Sequence, residues 1–335
     1  MSKQLRCFAV IAAFFVIIAA TQAQKNRDKI EVVPPSGYKP LAIENSPELQ
    51  SILVKSIGEV LDSYPARGFK ADDIAATLID LRDPSNLTWA SFGGERPIYP
   101  ASVVKIFYMT ALERQLEDGK IVITKELERG LKDMIVDSSN EATQYILDVL
   151  TDTSSGGELP QREFDKWQYK RNRINRYFSA MGYANINVNQ KTFCEDAYGI
   201  EQQSRNYKGQ NRNMITTNAT AKLMTEIVLG RMNTPERTAR MMNLMKRDPF
   251  VVSKDTDNQA TGFIGKAILD NKMAGTRLWS KAGWTSRARH DVAYIETPDK
   301  LKFVLAIYTE NHASEREPIP TIAKKVMNGL RAQKR

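Results

Sequence analysis

Tyr99-Pro100-Ala101-Ser102-Val103-Val104-Lys105, followed by the apolar run Ile106-Phe107-Tyr108-Met109, is the stretch whose reading decides the fold. A serine stands three residues before a lysine where a buried helix should open. Residues three apart share a helix face, with Cβ atoms about 5–6 Å apart. The first N–H groups of a helix lack internal acceptors, and the helix dipole favours negative charge there. Ser102 is thus placed as a candidate nucleophile beside a ready anion site, with Lys105 on the same helix face. Ser-x-x-Lys is also common by chance on surface helices, so the rest of the chain has to decide.

Two later elements bear on that decision. Ser138-Ser139-Asn140 separates two stretches of helical periodicity, and read alone it is equally an ordinary helix cap. Lys281-Ala282-Gly283-Trp284 ends an apolar strand-like run, where the glycine permits close approach of a ligand or a second backbone.

Around these elements the chain reads as α+β. A helix is expected over Pro47–Tyr64 from Leu49, Ile52, Leu53, Ile57, Val60 and Leu61. A hairpin follows, 74–81 and 87–92, turning at Asp83-Pro84-Ser85-Asn86. Helices are expected from Ser102 to about Gly119, then over 125–136, 141–150 and 163–181, from Thr216 to Leu229, and over 234–245. Strands are expected over 276–281, 288–296 and 301–309, and a helix over 322–330. Strands adjacent in sequence predict an antiparallel sheet, with terminal helices on one face and an all-helical block on the other. The stretch 185–213 is polar, without a period, and of a length that usually marks a functional loop.

The domain division is then 1–23 signal peptide, 24–46 linker, and 47–335 one domain. Its α/β part is 47–98 with 276–335, and its helical part is 99–275. Lys3 and Arg6 precede the apolar run Cys7–Ala20, and Thr21-Gln22-Ala23 offers a cleavage site, the pattern of a secretory signal. The run is shorter than the ~20 residues of a membrane span. A periplasmic or secreted protein with no stable span after cleavage is expected, with an uncleaved anchor as the alternative. Cleavage would leave Cys194 as the lone cysteine, hence no internal disulfide. The Pro- and Gly-bearing segment after the signal reads as the linker.

Apolar residues make up 42% of the chain and charged residues 26%, and the formal charge is +9. These are ordinary globular values. The basic balance comes without a nucleic-acid-binding motif, so no nucleic-acid partner is expected. Only His290 and His312 occur, with no Gly-x-Ser-x-Gly elbow, which argues against a Ser-His-Asp hydrolase. Two scattered histidines and Cys194 lack metal-ligand spacing, so no metal or other cofactor is expected.

In this order and on these elements, the three motifs resemble those of the serine β-lactamase and penicillin-binding-protein superfamily, in its class A-like branch. The resemblance runs from about Pro47 to Leu330, and the Thr216-Thr217 helix start and the Arg289-His290-Asp291 strand agree with it. It implies Ser102 as acylated nucleophile, Lys105 as its base, Ser138 as proton relay, and Asn140 as a contact for substrate amide and for Lys105. It further implies Lys281, Gly283 and Trp284 as substrate-binding residues, with Lys281 attracting a carboxylate and the N–H groups of Ser102 and Trp284 forming the oxyanion hole. The expected substrate is a small-molecule β-lactam or a peptidoglycan-like amide, handled by a monomer.

Three departures qualify the match. Ser139 replaces an aspartate. Ala282 replaces a hydroxyl residue, which leaves Thr285 or Ser286 as substitutes. The Glu-x-x-Leu-Asn deacylation motif is missing, and Glu195, Asp196 and Glu201 are the candidates left in that loop, each read first as a solvated carboxylate. Arg289 and His290 are open as carboxylate binders or as structural residues. A class A-like β-lactamase, slow for want of an identified deacylation base, is therefore the first expectation. A D-alanyl-D-alanine-type peptidase or other amide hydrolase is the second. A non-catalytic cell-wall-binding descendant is the alternative from a different class.

Overall fold

The computed structural model describes residues 30–63 and 68–333. The expected signal peptide lies outside the described residues. Among the described residues no helix is long and apolar enough to cross a membrane.

Among the described residues the sheet has seven strands, in the order β1-β3-β2-β7-β6-β5-β4. They are β1 (Glu44–Asn45), β2 (Ile74–Asp80), β3 (Thr88–Phe92), β4 (Lys246–Arg247), β5 (Arg277–Trp284), β6 (Ala288–Glu296) and β7 (Lys302–Glu310). All neighbours are antiparallel except β1, which pairs parallel to β3. The central strands are buried on both faces, and the period of two in side-chain direction divides them between two cores. Ala75, Ile79, Val292, Val304, Ala306 and Tyr308 face the helical block. Ile74, Ala76, Leu78, Ala293, Phe303, Leu305 and Ile307 face the terminal helices α1 (Pro47–Ser63) and α11 (Pro318–Ala332).

The helical block begins with a 3₁₀ turn, Ala101–Val104, that runs into α2 (Lys105–Glu117). Next come α3 (Lys125–Lys132), which passes into a π-helical turn at Asp133–Asp137, and α4 (Asn140–Thr151). The run expected as one helix over 163–181 is two, α5 (Gln161–Arg171) and α6 (Arg173–Ala180). They divide at Asn172, with ψ 10°, where Arg171 and Arg173 bury their guanidinium groups against different carboxylates, Glu201 and Glu31. Short α7 (Ile200–Arg205), then α8 (Thr217–Val228), capped by the Thr216 hydroxyl, and α9 (Pro235–Met245) complete the block.

Other expectations need correction. The segment read as a linker is packed from residue 30 onward. Val32 is buried, Glu31 pairs with Arg173 and Arg176, the Tyr38 hydroxyl donates to Glu226 at 2.6 Å, and Glu44–Asn45 adds β1 to the sheet. Its polar, proline-bearing composition conceals these anchors because each is a single side chain. The boundary at 275 also moves, since α10 (Ile264–Asp270) packs Ile264, Ala267 and Ile268 into the terminal-helix core.

The polar stretch 185–213 is ordered by side-chain amides that stand in for backbone partners. Asn213 Oδ1 accepts from the N–H groups of Asn189 at 3.1 Å and Gln190 at 2.9 Å, and Asn213 Nδ2 donates back to Gln190 O at 2.9 Å. Asn175 Oδ1 accepts from Val188 N at 2.7 Å. Buried backbone groups need partners, and an Asn-rich sequence supplies them without a periodic pattern.

Candidate active site

The three motifs come together at the boundary between sheet and helical block. Ser102 sits in the 3₁₀ turn, half-buried, and follows Ala101, whose φ of 47° is rare for a side-chain-bearing residue. As the second residue of the turn, Ser102 has an N–H without an intrahelical acceptor. Its hydroxyl has no hydrogen-bond partner among the described residues. β5 presses against this turn. A Cβ on Gly283 would lie 2.6 Å from Ser102 N and 2.8 Å from Val103 N. Gly283 is therefore required by the packing of backbone on backbone. Gly283→Ala should displace the 3₁₀ turn and lower Ser102 acylation by about tenfold or more, since small misplacements of reacting groups have effects of that size. Labelling kinetics with a fluorophosphonate would check this, and an unchanged rate would contradict it.

Lys105, the first residue of α2, is fully buried. Its Nζ lies 2.6 Å from Ser138 O, 2.9 Å from Asn140 Oδ1, and 3.3 Å from both Ser138 Oγ and Ser139 O. This oxygen cage favours the ammonium form, but burial prevails and pushes the pKa down to about 7, against the upward pull of Glu141 and Cys194. A lysine near neutrality can accept a proton from a serine.

Ser138 stands between the two lysines. It follows the π-helical turn at φ 59° and ψ 29°, a left-handed conformation that strains a non-glycine residue. Ser139 N donates to Asp133 O at 3.0 Å, and Lys105 holds the Ser138 carbonyl, so both sides of the strained residue are fixed. Ser139 caps α4 by accepting from Ala142 N at 3.0 Å. The cap and the site are thus one structure, which is why both readings of Ser-Ser-Asn were available.

Lys281 is fully buried in β5, with Nζ 2.9 Å from Ser138 Oγ, 2.6 Å from Gln259 Oε1 and 2.7 Å from Ala282 O. Burial, with Lys105 and Arg247 nearby, drives its pKa well below the ordinary lysine value. β4 pairs with β5 only at Leu278 and Trp279, so the outer edge from Ser280 to Trp284 carries no strand partner. Trp284, at the end of that edge, is 38% exposed.

The remaining candidates fall elsewhere. Glu201 is 1% exposed rather than solvated, bound bidentately by Arg171 at 2.8 Å to each oxygen and flanked by Lys191 at 3.3 Å. Asp196 pairs with Arg205 on the surface, and Glu195 is exposed. The loop brings Cys194 to the site instead, where its Sγ lies 3.4 Å from Asn140 Nδ2. Thr285 Oγ1 is occupied by the N–H groups of Arg287 and Ala288, both at 3.1 Å. Arg289 is buried against Asp257 and Gly262 O, both at 2.6 Å. His290 accepts from Thr309 N at Nδ1, 3.2 Å, so Nε2 bears the proton and donates to Tyr99 O at 2.9 Å. Burial lowers its pKa to about 4, so it is a neutral brace behind the Ser102 turn. Sequence reading missed Gln259 and Cys194. Gln259 carried no signal in its polar loop, and Cys194 was weighed only for a disulfide and as a metal ligand.

Solved structures with this fold are found. A β-lactamase from Sphaerobacter thermophilus superposes with TM-score 0.60 at 19% identity, covering 84% of this chain and 99% of that one. A β-lactamase from Xanthomonas campestris gives 0.61 at 12%, covering 84% and 98%. A PBP-A mutant, solved as an acyl-enzyme complex with penicillin G, gives 0.58 at 16%, covering 88% and 100%. No curated protein matches the sequence. The sequence model of the β-lactamase enzyme family matches residues 126–330, more than half of the chain, and spans Ser138, Asn140 and Lys281. With the fold and that match in agreement, the chain belongs to the β-lactamase enzyme family.

Proposed function

We propose that the protein is an exported serine hydrolase that takes an acyl group from an amide onto Ser102 and releases it slowly. The observation that carries this reading is Lys105, buried and near neutrality one turn from an accessible serine. The Ser102 oxygen attacks the carbonyl while its proton passes to the neutral Lys105 amine. The tetrahedral oxyanion faces the N–H groups of Ser102 and Trp284. When the carbon–nitrogen bond breaks, Lys105 returns the proton to the leaving nitrogen through Ser138 Oγ, which lies within reach of both lysines. Water then cleaves the ester and regenerates the serine.

Slow release follows from the loop. Of its three candidate carboxylates, Glu201 is bound to Arg171 and Lys191, Asp196 to Arg205, and Glu195 is exposed. β-Lactams should therefore acylate and turn over slowly, and a peptidase-type activity on linear amides is the second reading. Export rests on the N-terminal pattern at 1–23 alone.

Intact mass spectrometry after exposure to a fluorophosphonate, to penicillin G and to its methyl ester tests the proposal. A stable adduct on Ser102, absent from Ser102→Ala, is expected with the fluorophosphonate and with at least one penicillin form. No adduct with any of them would leave the protein as a binding module.

A further inference from the structure

Lys281 is where a substrate carboxylate is expected to dock, yet its amine has no free position. As an ammonium it donates three hydrogen bonds, and as an amine it donates two and accepts one. Ser138 Oγ, Ala282 O and Gln259 Oε1 fill all three positions in either form. The first two belong to the site itself. Gln259 comes from the segment between β4 and α10 and is the exchangeable member.

Its amide is held at both ends. Oε1 accepts from Lys281 at 2.6 Å, and Nε2 donates to Val136 O at 2.8 Å, in the π-helical turn leading to Ser138. The reverse orientation would set an NH₂ against the lysine and an oxygen against a carbonyl, so the assignment is chemically fixed. The side chain is only 8% exposed, and its backbone follows a turn in which Asn258 Oδ1 accepts from Ala260 N at 2.9 Å and Asn258 O from Gly262 N at 2.8 Å. The amide oxygen therefore lies where a carboxylate oxygen would have to lie.

Among the described residues, the two arginines packed around this segment are already engaged. Arg289 is committed to Asp257 and Gly262 O, and Arg247 donates to Ile135 O at 2.9 Å and Leu244 O at 3.1 Å. The cavity opening beside Gln259, about 450 Å³, is lined by Asp137, Asp248, Asp255 and Asp257 against Lys246 and Arg247. An entering carboxylate would lose hydration and face Asp137, Asp248 and Asp255, while the Asp257 carboxylate is already paired with Arg289 and Arg316. The burial that weakens the positive charge of Lys281 acts in the same direction.

We propose that Gln259 makes the site selective for acyl donors that carry an uncharged group, an ester or internal amide, where a free carboxylate would otherwise meet Lys281. This rests on Ser102 being the acylated residue. The test compares acylation rates of the intact protein by penicillin G and by its methyl ester, in which one added methyl group removes that charge, with fluorophosphonate labelling of Ser102 as the reference reaction. The wild type should react about tenfold or more faster with the ester, the scale of one charge-assisted hydrogen bond. Gln259→Ala should speed the free acid by a similar factor and leave the ester within about threefold, so that the ratio collapses. Equal rates, a free-acid preference in the wild type, or a ratio unchanged in Gln259→Ala would overturn the selectivity while fluorophosphonate labelling kept the serine reading. Absence of labelling by all three reagents would overturn both. If Gln259→Ala fails to fold, Gln259→Met, which keeps the length of the side chain without its amide oxygen, takes its place, and the same collapse of the ratio is expected.

Discussion

Lys105→Met should lower the rate of Ser102 acylation by about 10²–10⁴-fold, the usual worth of a positioned general base, and should leave a folded protein. Methionine is unbranched and apolar, so it fits a fully buried site on α2. The substitution removes a buried amine whose charging is already unfavourable, and it leaves Ser138 O and Asn140 Oδ1 without their lysine donor. The pH profile separates chemistry from structure. Burial lowers the Lys105 pKa from 10.5 to about 7. Below that value the ammonium has no lone pair for the serine proton, and above it the amine does. Wild-type acylation should therefore rise with pH through about 7 and then level, whereas Lys105→Met should lose that inflection. The measurement is the rate of fluorophosphonate or penicillin ester adduct formation from pH 5.5 to 9 by intact mass. A variant that kept the inflection would shift the base role away from Lys105, with Lys281, which also touches Ser138, as the next candidate.

What the sequence disclosed follows from where each signal resides. β2 and β7 were legible because strands buried on both faces are largely apolar runs, and β6 from its apolar half, residues 292–295; their register then follows from hairpin order. Ser102, Lys105, Ser138, Asn140 and Lys281 were legible as an ordered set of residue types at fixed spacings, and the fold brings Lys105, Ser138, Asn140 and Lys281 into one hydrogen-bonded cluster. β4 was not legible because two residues, Lys246 and Arg247, carry no periodicity. The short helix α10 follows a polar loop and has no side-chain cap to announce it. Residues 30–46 were read as a linker because single anchors such as Glu31 and Tyr38 do not alter a polar, proline-bearing composition. Gln259 illustrates the limit best. Its role depends on Lys281, 22 residues away, and on the Val136 carbonyl, 123 residues away, and nothing local in the sequence marks it.

Glu201→Ala should destabilise the fold by about 3 kcal/mol, because it removes the bidentate partner of the buried Arg171 and leaves Asp148, at 3.3 Å, as its remaining carboxylate. Arg171 is fully buried and its guanidinium binds both Glu201 oxygens at 2.8 Å, while Lys191, also buried, lies 3.3 Å away and Ser155 Oγ donates at 2.9 Å. Burial alone would raise the Glu201 pKa, but Arg171, by charge and by hydrogen bond, and then Lys191 outweigh it and hold the carboxyl below its ordinary value. It is ionised at neutral pH and committed to its neighbours. For a chain of this size the loss corresponds to a fall in Tm on the order of 10 °C. Measured on the remaining folded protein, the lifetime of the Ser102 acyl-enzyme should be unchanged, because this carboxylate ties the 185–213 loop to α5 and does not activate water. Thermal melts with and without a preformed adduct, together with decay of adduct mass, distinguish the alternatives. A small fall in Tm with an acyl-enzyme lifetime extended tenfold or more would make Glu201 the deacylating base and the protein a β-lactamase with fast release. The expected pair of results, a large fall in Tm and an unaltered lifetime, makes Glu201 the anchor of the loop that carries Cys194 to Asn140.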